Sequence, residues 1–575
     1  MSTSDRDLQE RGSDFTGIRQ SSPCRLSSRL NNGFEKQKGA MTMLDMIIRN
    51  GQVYDGTGNP WTRSDIGIKD GKIVKLGKLY EQEVMVEIDA KGLAVSPGFI
   101  DTHVHSDLLC TRPDIHKIKV LQGVTMELLG QDGISVAPVN DQTKPLWQKQ
   151  LRGLNGDIGD WPWNSIDEYL DFLSESSLAG NVTYLVPHGA VRTLMMGFEG
   201  RRATKEEMQK MRELVEEGMR QGAVGLSSGL IYPPNLYSCK EELIEICKGA
   251  AKYDGCFVVH MRNESNHILE AIDEMLDVAR GSGVRLHISH FKVIGRRNRA
   301  SFQKALDKME QARAEGIEIT FDQYPYTAGS TVLHALLPPW MHDGGTEELL
   351  AKLKDEDIRN QIKADFDHNH DFENWVESCG WGNIVIASVT TEKNRAAEGK
   401  NLLEIAAMRE TSPADAVFDL LLEENAGVTM VISWGEEVDI TNALGHPLQI
   451  VGSDGIFGGK PHPRLYGTFP RILGRFVREQ QILTMSEAIR HMTGAPAQLL
   501  RLKDRGYIAE GYWADIVIFD PNTVADLATY EEPLLEPTGI HYVLVNGEIA
   551  VNNSLFTGRT AGKVIRREEI SLKIT

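Results

Sequence analysis

The chain has 575 residues, with 62 Lys and Arg against 81 Asp and Glu, which gives a formal net charge of −19. With 41% hydrophobic and 25% charged residues it has the composition of a globular protein, and it is longer than one compact domain of ordinary size. The negative net charge argues against nucleic acid or an anionic membrane surface as partner, because phosphates would be repelled. The sequence contains no uninterrupted run of about 18 apolar residues, which is the length needed to span a membrane.

Residues 1–40 differ in composition from the rest of the chain. They are rich in Ser, Arg and Gln and show no sustained apolar period, which predicts a disordered tail or an over-extended start upstream of Met41 or Met43. They contain no continuous apolar segment of the kind found in a secretory signal. A transit peptide is the alternative, and four acidic residues count against it: Asp5, Asp7, Glu10 and Asp14.

The two ends of the remaining chain share a β-hairpin pattern. Residues 44–78 are short apolar runs broken by Asn-Gly, Asp-Gly and Gly-Asn turns, and residues 515–553 repeat that pattern around an Asn-Gly turn. Two independent caps and one sandwich assembled from both ends are both compatible with it. We predict a composite β-sandwich from residues 41–96 and 497–575, because neither end alone buries enough surface to be stable.

The middle of the chain, residues 97–496, alternates apolar strands with helical periods. Eight strands with helices between several of them are typical of a (β/α)₈ barrel; an open doubly wound sheet is the alternative, but no GxGxxG follows a strand. A charged, partly helical segment at about residues 330–445 predicts an inserted lid-like subdomain between strands seven and eight. The predicted strands are 95–105, 123–130, 181–187, 223–227, 256–261, 284–290, 317–324 and 449–454. The predicted helices include 205–220, 240–252, 267–280 and 302–314.

The first predicted barrel strand ends in two histidines that are two residues apart. On a strand, His103 and His105 point to the same face, at the carboxyl end where barrel active sites lie. Alone the pair is weak evidence, because 16 histidines in 575 residues give about 0.4 such pairs by chance. A second pair, His368 and His370, lies in an acidic run without a preceding apolar strand, which is typical of a solvated loop.

Three further polar residues stand at the ends of predicted strands. His260 ends the run CFVVH, His290 ends VRLHISH and Asp454 ends IVGSD. In a barrel these residues converge with the first pair on one mouth, and four imidazoles with a carboxylate are a typical zinc-binding set. Each one alone is more often structural, but the combination favours a metal site. His287, three residues before His290, should face away from the mouth and pack or hydrogen-bond.

A series of motifs follows the predicted strand ends. They are PGFIDTHVH, VPHGAVR, GLSSGLIYPP, VVHMRNE, ISHFKVIG, DQYPYTAGST, VGSDGIFGGKPHPRLYGTFPR, MTGAPAQ and RGYIAEGYWADIVIFDP. Together they resemble the amidohydrolase superfamily, and within it the D-aminoacylase (N-acyl-D-amino-acid deacylase) branch. The resemblance extends from about residue 44 to residue 567 and weakens across the inserted segment. It implies a (β/α)₈ barrel that carries a small β-sandwich formed by both chain ends.

The resemblance also implies roles for the residues at the strand ends. His103 and His105 would hold the first metal position, and His260 and His290 the second, tighter one. Asp454 would be the catalytic residue, which takes a proton from the attacking water and passes it to the departing nitrogen. The implied cofactor is Zn²⁺, with one or two ions per chain.

One departure from the branch pattern concerns the turn after strand two. The branch has a cysteine metal ligand in an Asn-Cys-Gly turn, whereas this chain reads Gly-Gln-Asp-Gly, so that Asp132 falls on the cysteine's position. A carboxylate can ligate or bridge zinc, and we therefore expect Asp132 to be a ligand, with Glu127 as the weaker substitute. Strand four carries no lysine, so the carbamylated-lysine bridge of other branches is not available from it.

The resemblance further implies a small-molecule substrate with a free carboxylate. Lys292, Tyr324, Ser330 and Arg464 match the positions that bind this carboxylate, which favours deacylation of N-acyl-D-amino acids. The alternatives are hydrolysis of a cyclic amide (dihydroorotase or hydantoinase type) or of a dipeptide, and a non-enzymatic scaffold, against which the complete His and Asp set argues. Six cysteines without a CxxC pair predict reduced thiols and a cytoplasmic enzyme; the oligomeric state is not indicated.

Overall fold

The computed structural model describes residues 43–80, 83–155 and 159–567. The predicted tail, residues 1–40, lies outside the described residues. The strands are β1 (Leu44–Val53), β2 (Thr62–Lys69), β3 (Lys72–Gly77), β4 (Val84–Asp89), β5 (Ala94–Pro97), β6 (Phe99–Asp101), β7 (Val124–Leu129), β8 (Asn181–Pro187), β9 (Gly225–Gly229), β10 (Cys256–His260), β11 (Arg285–Ile288), β12 (Ile319–Gln323), β13 (Ala328–Val332), β14 (Ile384–Ser388), β15 (Thr429–Ser433), β16 (Gln449–Val451), β17 (Ile516–Phe519), β18 (Ile540–Val545), β19 (Glu548–Asn552) and β20 (Leu555–Phe556). The α-helices are α1 (Pro113–Leu121), α2 (Lys144–Gln150), α3 (Arg152–Asn155), α4 (Ile166–Glu175), α5 (His188–Met196), α6 (Lys205–Arg220), α7 (Lys240–Ala251), α8 (Ile268–Ser282), α9 (Ser301–Ala314), α10 (Thr346–Lys352), α11 (Glu356–His368), α12 (Trp375–Cys379), α13 (Leu402–Met408), α14 (Pro413–Glu423), α15 (Glu437–Leu444), α16 (Arg464–Arg471), α17 (Met485–Met492) and α18 (Gly494–Leu499).

Eight of these strands form a parallel barrel, which confirms the predicted fold class. Their order is β6-β7-β8-β9-β10-β11-β12-β16, and every neighbouring pair is parallel. A bridge between Val104 and Gly455, just beyond β6 and β16, brings the two edge strands together. Every residue of β7, β8 and β10 is buried, as expected for strands covered by helices on one side and by packed side chains on the other. The carboxyl ends of all eight strands therefore face one mouth.

The helices outside the barrel follow the apolar period of the sequence. In α6, Thr204 and Glu207 form a capping box that satisfies the first free backbone N–H groups, so the helix begins at the predicted residue. Met211, Val215 and Met219 recur at every fourth position and are buried, while the remaining face carries charge. The helix thus covers the barrel with one apolar face, as the period predicts.

The predicted strand at residues 95–105 is wrong as a single element, because it forms two strands in two sheets. β5 belongs to the sheet built from the chain ends, and β6 is the first strand of the barrel. The break lies at Pro97 and Gly98: proline has no N–H for a ladder, and a Cβ at position 98 would overlap Thr125. The two histidines consequently lie just beyond a very short strand.

Strands from both ends of the chain form one nine-stranded sheet. Its order is β20-β19-β18-β17-β5-β1-β2-β3, with β4 on β1, and β17 is antiparallel to β5. Ile48, Ile66, Ile516 and Leu544 belong to the apolar core of this sheet. The sheet unites the two predicted β-rich ends, and the domain boundaries themselves stay a prediction.

The segment inserted between the seventh and eighth barrel strands is more ordered than its charged sequence indicates. Besides α10 to α15 it contains a three-stranded antiparallel sheet in the order β13-β15-β14, which the sequence analysis did not foresee. Trp375 and Trp434 from this segment line the cavity at the barrel mouth. Within the described residues, no helix is both long and apolar enough to cross a membrane.

Candidate metal centre

Five barrel strands deliver polar side chains to one point at the barrel mouth. His103 and His105 follow β6, Asp132 follows β7, His260 ends β10, His290 follows β11 and Asp454 follows β16. All six residues are buried. The positions match the rule that barrel active sites are built from the residues after the carboxyl ends of the strands.

The first pair of histidines faces two carboxylates. The Nε2 atoms of His103 and His105 lie 3.6 and 3.5 Å from Asp132 Oδ2, and 3.7 and 3.5 Å from Asp454 Oδ1. Tetrahedral zinc with ligand bonds near 2.05 Å requires ligand atoms about 3.3 Å apart. These four atoms are therefore spaced like the ligands of one metal ion.

The second pair of histidines lies directly beside the first. His260 Nδ1 and His290 Nε2 are 2.9 Å apart, which is a hydrogen-bond distance, and His260, Glu264 and His290 offer atoms within 4.8 Å of one another that could hold a metal. His103, Asp132 and His290 offer atoms that all lie within 4.8 Å of one another, so the two pairs are joined through Asp132. The structure thus brings together all six residues that the sequence analysis placed at the metal site.

Buried atoms without hydrogen-bond partners support a cation at this point. His103 Nε2 and Asp132 Oδ1 are buried and make no hydrogen bond within the described chain. Such atoms are costly unless something satisfies them, and a divalent ion binds both imidazole nitrogens and carboxylate oxygens. The residues present therefore fit a zinc-type metal.

The protonation of the site follows from its carboxylates. Burial opposes charge on the imidazoles, yet Asp132 and Asp454 raise the pKa of His103 well above its usual value and that of His105 to about 9. Burial also acts on Asp454, but the Arg464 guanidinium and His103 hold the pKa of that carboxyl far below its ordinary range. Both carboxylates are ionised, so the site is built to receive positive charge.

The second histidine pair has the opposite electrostatics. Burial, together with the neighbouring His290 and Lys292, lowers the pKa of His260 to about 3, despite the nearby Glu264. A neutral imidazole has a free lone pair, which is the form that binds metal. His260 therefore stays available as a ligand throughout the physiological pH range.

Asp132 is held by an unusual backbone turn. Its φ is +56°, in the left-handed region, and it lies between Gly130 and Gly133, which also have positive φ. Asn235 Nδ2 donates to the Asp132 carbonyl at 3.1 Å, and Ser227 Oγ accepts from Gly133 N at 3.0 Å. Aspartate tolerates this conformation better than most residues, so the turn can place a carboxylate where the branch pattern has a cysteine.

Glu127, the weaker substitute for the cysteine, belongs to a separate cluster. Its carboxylate pairs with His116 and lies 3.5 Å from Lys119 Nζ. Lys119 Nζ also lies 2.5 Å from Asp101, which accepts hydrogen bonds from the backbone N–H groups of His103 and Ser453 at 3.2 and 2.8 Å. This cluster ties the loop that carries the first histidines to the loop that carries Asp454.

Two carboxylates that the sequence analysis missed orient the histidines. Glu264 Oε1 lies 3.0 Å from His290 Nδ1 and its Oε2 lies 2.6 Å from Lys292 Nζ, so the Nε2 of His290 is left for metal. Asp322 accepts from His290 N at 2.8 Å and lies 3.6 Å from His103 Nδ1. Glu264 stands four residues after His260 in the motif VVHMRNE, and Asp322 opens the motif DQYPYTAGST, but neither motif indicates by itself which side chain the carboxylate contacts.

His287 does not point into the centre. Its Nε2 lies 2.8 Å from Asp322 Oδ2 and its Nδ1 lies 2.7 Å from Thr320 Oγ1. It is fully buried and hydrogen-bonded, as expected from its spacing to His290. Asp322 also lies 3.6 Å from the Nδ1 of His103, so His287 holds a carboxylate beside this candidate ligand.

A narrow cavity with a volume of about 40 Å³ adjoins the metal centre. Lys292, Tyr324 and Ser330 line it, as the carboxylate-binding hypothesis requires. Arg464 does not: it is fully buried behind Asp454, with Nη1 2.9 Å from that carboxylate and Nη2 donating to the Ser330 carbonyl at 2.9 Å. Its guanidinium carbon also lies 4.5 Å from the centroid of the Tyr324 ring. Arg464 therefore supports the cavity wall from behind.

The other histidine pair lies away from the centre. His368 is the last residue of α11, and both it and His370 are exposed. His370 Nδ1 lies 3.1 Å from Glu377 at the surface of the inserted segment. Neither residue belongs to a group of described side chains that could hold a metal.

Comparisons with known proteins show the family to which the chain belongs. The model of the amidohydrolase family matches residues 86–551. The chain is 34% identical to a D-aminoacylase from Alcaligenes xylosoxydans xylosoxydans, over 91% of this chain and 98% of that protein, and 33% identical to an N-acyl-D-aspartate deacylase of the same organism, over 88% and 92%. The crystal structure of N-acyl-D-glutamate deacylase from Bordetella bronchiseptica, with zinc and a phosphonate mimic of the tetrahedral intermediate, superposes with a TM-score of 0.77 at 31% identity, covering 91% of this chain and all of that one.

Proposed function

Because this chain belongs to the amidohydrolase family, we propose that it is a zinc-dependent hydrolase that deacylates N-acyl-D-amino acids to a D-amino acid and a carboxylic acid. The observation that carries the proposal is the cluster of four imidazoles and two ionised carboxylates beside a cavity lined by a buried lysine. The related D-aminoacylase and D-aspartate and D-glutamate deacylases support the reaction class.

The metal ligands that we propose are His103, His105, Asp132, His260 and His290. A divalent ion held by them supplies Lewis acidity, which activates water for attack near neutral pH and polarises the scissile carbonyl. Asp132 lies between the two histidine pairs, so the same residues suit one ion or two. Without an ion, Asp132 and Asp454 favour the protonated forms of His103 and His105. The positive charge of a bound ion would take the place of these protons.

Asp454 is the proposed catalytic residue. Its carboxylate lies within 3.7 Å of both histidines of the first pair, so it reaches a water molecule at the same point. It accepts the proton of the attacking water and then donates it to the nitrogen of the breaking amide bond, which leaves as a neutral amine. Arg464 holds one oxygen of Asp454 at 2.9 Å and thereby fixes the direction of the other.

The substrate carboxylate is proposed to bind at Lys292, Tyr324 and Ser330. The ammonium of Lys292 is buried and paired with Glu264, and the hydroxyl of Tyr324 is buried without a hydrogen-bond partner among the described residues. A carboxylate placed between them would accept from both groups. Arg464 contacts Ser330 and Tyr324, so it supports this binding site, and its direct contact with the substrate stays a prediction.

We also propose a cytoplasmic location. The described cysteines, Cys110, Cys239, Cys247, Cys256 and Cys379, are all free thiols, which is the state kept in a reducing compartment. The strong negative charge suits an enzyme with a small-molecule substrate and without a nucleic acid partner.

The test is a substrate screen on purified full-length protein that has been stripped of metal and reloaded with zinc. We expect N-acetyl-D-amino acids to be hydrolysed, N-acetyl-L-amino acids to be poor substrates, and a chelator to abolish the reaction reversibly. The Asp454→Asn variant, which retains the shape of the side chain, is the matched control for contaminating activity. Hydrolysis of cyclic amides or dipeptides alone would refute the proposed substrate class.

A further inference from the structure

The cavity at the metal centre has room for little more than the reacting atoms of a substrate. Its volume of about 40 Å³ holds roughly three water molecules, since each needs about 10–15 Å³ of such space. A second cavity of about 510 Å³ lies next to it, which is within the range of roughly 300–1,000 Å³ found for ligand sites. Leu154 lines both cavities, and the adjacent residues Ile456 and Phe457 line the first and the second respectively. Leu154 therefore lies between the two spaces.

The barrel topology decides which end of the substrate points toward Leu154. Lys292 and Tyr324, which are proposed to bind the carboxylate, follow β11 and β12. In the ring of eight strands, β7 and β8 lie opposite β11 and β12. Ile134 and Leu154 lie between β7 and β8 in the chain and line the cavity on that side. With the scissile amide at the metal centre between them, the acyl group points toward Leu154.

The second cavity has walls that suit a hydrocarbon chain. Arg152 is the charged residue among its described lining residues; no described Asp or Glu lines it, and most of its wall is apolar or glycine. Ile115 and Leu534 are 37% and 55% exposed, so the outer end of the cavity reaches the surface. The apolar residues that line it include Leu109, Val389, Phe457, Pro461, Leu465 and Leu534.

A third cavity of about 600 Å³ is a weaker candidate for the same role. It shares no lining residue with the cavity at the metal centre. Its wall contains four carboxyl groups, which disfavour an apolar chain; these residues are Glu270, Glu274, Asp371 and Glu373. It provides a control surface for experiments on the second cavity.

We propose that the second cavity binds the distal part of the acyl group, which enters it past Leu154. This inference rests on the proposed deacylase function and adds the substrate class: N-acyl-D-amino acids with medium or long straight acyl chains. Burial of the methylene groups in the second cavity then contributes binding free energy that an acetyl group cannot contribute.

The test compares kcat/KM for N-acetyl-, N-butanoyl- and N-octanoyl-D-leucine on the zinc-loaded full-length enzyme. We expect the octanoyl-to-acetyl ratio to be at least about tenfold in the wild type, because each buried methylene favours the longer chain. Leu154→Trp fills the junction and should lower that ratio about tenfold or more. Leu236→Trp, which changes a half-buried leucine of the third cavity, is the matched control and should leave the ratio unchanged.

A second variant tests the inference even if the Leu154→Trp protein does not fold. Leu534 is largely exposed, so the Leu534→Trp variant should fold normally. The larger side chain should narrow the outer part of the second cavity. The variant should therefore lower kcat/KM for N-dodecanoyl-D-leucine more than for N-butanoyl-D-leucine. The inference would be overturned if kcat/KM did not depend on acyl-chain length, or if neither tryptophan variant changed the ratios of kcat/KM between long and short acyl chains. Hydrolysis of the acetyl substrate would in that case still support the proposed deacylase function. If no N-acyl-D-amino acid is hydrolysed, the proposed function itself fails.

Discussion

Two buried clusters of charged side chains meet at β6, and they neutralise their carboxylates in different ways. One is the support cluster, which consists of Asp101, His116, Lys119 and Glu127. In it, Asp101 and Glu127 share the buried ammonium of Lys119, so each carboxylate has a permanent cation nearby. In the metal centre, Asp132 pairs only with imidazoles in the described chain. Asp101 and Glu127 are therefore neutralised within the protein, whereas Asp132 needs a cation from outside. Asp454 combines the two arrangements, because Arg464 lies 2.9 Å from one of its oxygens while the other oxygen faces the histidines.

The largest effect is expected from the acid–base residue of the metal centre. Asp454→Asn should lower kcat by about 10²- to 10⁴-fold, because an amide cannot take the proton of the attacking water. Metal content, measured by atomic emission on the purified variant, should remain that of the wild type. A variant with much less metal would show instead that Asp454 is mainly a ligand.

The support cluster should respond in stability rather than in chemistry. Lys119→Met removes the cation and leaves two buried carboxylates, which should cost about 3–5 kcal/mol of unfolding free energy. Urea denaturation measures this loss, and added zinc should not restore it. Recovery of stability on addition of zinc would mean that the two clusters are not distinct.

The metal centre should behave in the opposite way toward zinc. Removal of zinc by a chelator should lower the unfolding free energy by about 4 kcal/mol relative to the protein with free zinc at a thousand times its Kd, and zinc should restore it.

Asp132→Ala should reduce both bound metal and kcat, while Asp132→Cys should keep part of both. Unchanged metal content in the alanine variant would remove Asp132 from the ligands.

Another buried carboxyl group, that of Glu373, has a raised pKa. Burial, together with the nearby Glu264, raises its pKa to about 7, although Ser265 and Lys292 act in the opposite direction. Because the unfolded pKa is lower, the native state binds an extra proton between about pH 4.5 and 7, and stability should fall by about 3 kcal/mol as pH rises through that range. Urea titrations at several pH values measure this slope. Glu373→Gln should flatten it, and an equal slope in both proteins would contradict the assignment.

The smallest effect is expected at the exposed histidine pair. His368→Ala and His370→Ala should each leave kcat within about twofold of the wild type, since exposed substitutions rarely change free energies by more than about 0.5 kcal/mol. A loss of a hundredfold or more in either variant would show that the inserted segment reaches the reaction site through these residues.

The sequence was most informative where function depends on residues close to a strand end. The barrel class and the convergence of His103, His260 and Asp454 could be predicted, because parallel strands present their carboxyl ends at one mouth. Asp322 also stands near a strand end, but its role could not be predicted, because the sequence does not show which side chain a carboxylate at a strand end contacts. Arg464 was placed by its motif in direct contact with the substrate, but its position behind Asp454 depends on how α16 packs.

The sheet shared by both chain ends has a consequence for how the protein is made. β5 pairs with β17, more than 400 residues later in the chain, and only Gly98 separates β5 from the barrel strand that leads to His103. Because the chain is synthesised from its amino end, the anchor of the first proposed metal ligands is incomplete until residues 516–519 have left the ribosome. A chain that terminates before residue 516 would contain all the proposed ligands and still lack the strand that holds the first pair in place. The reaction site is thus assembled last, although its first residues are made first.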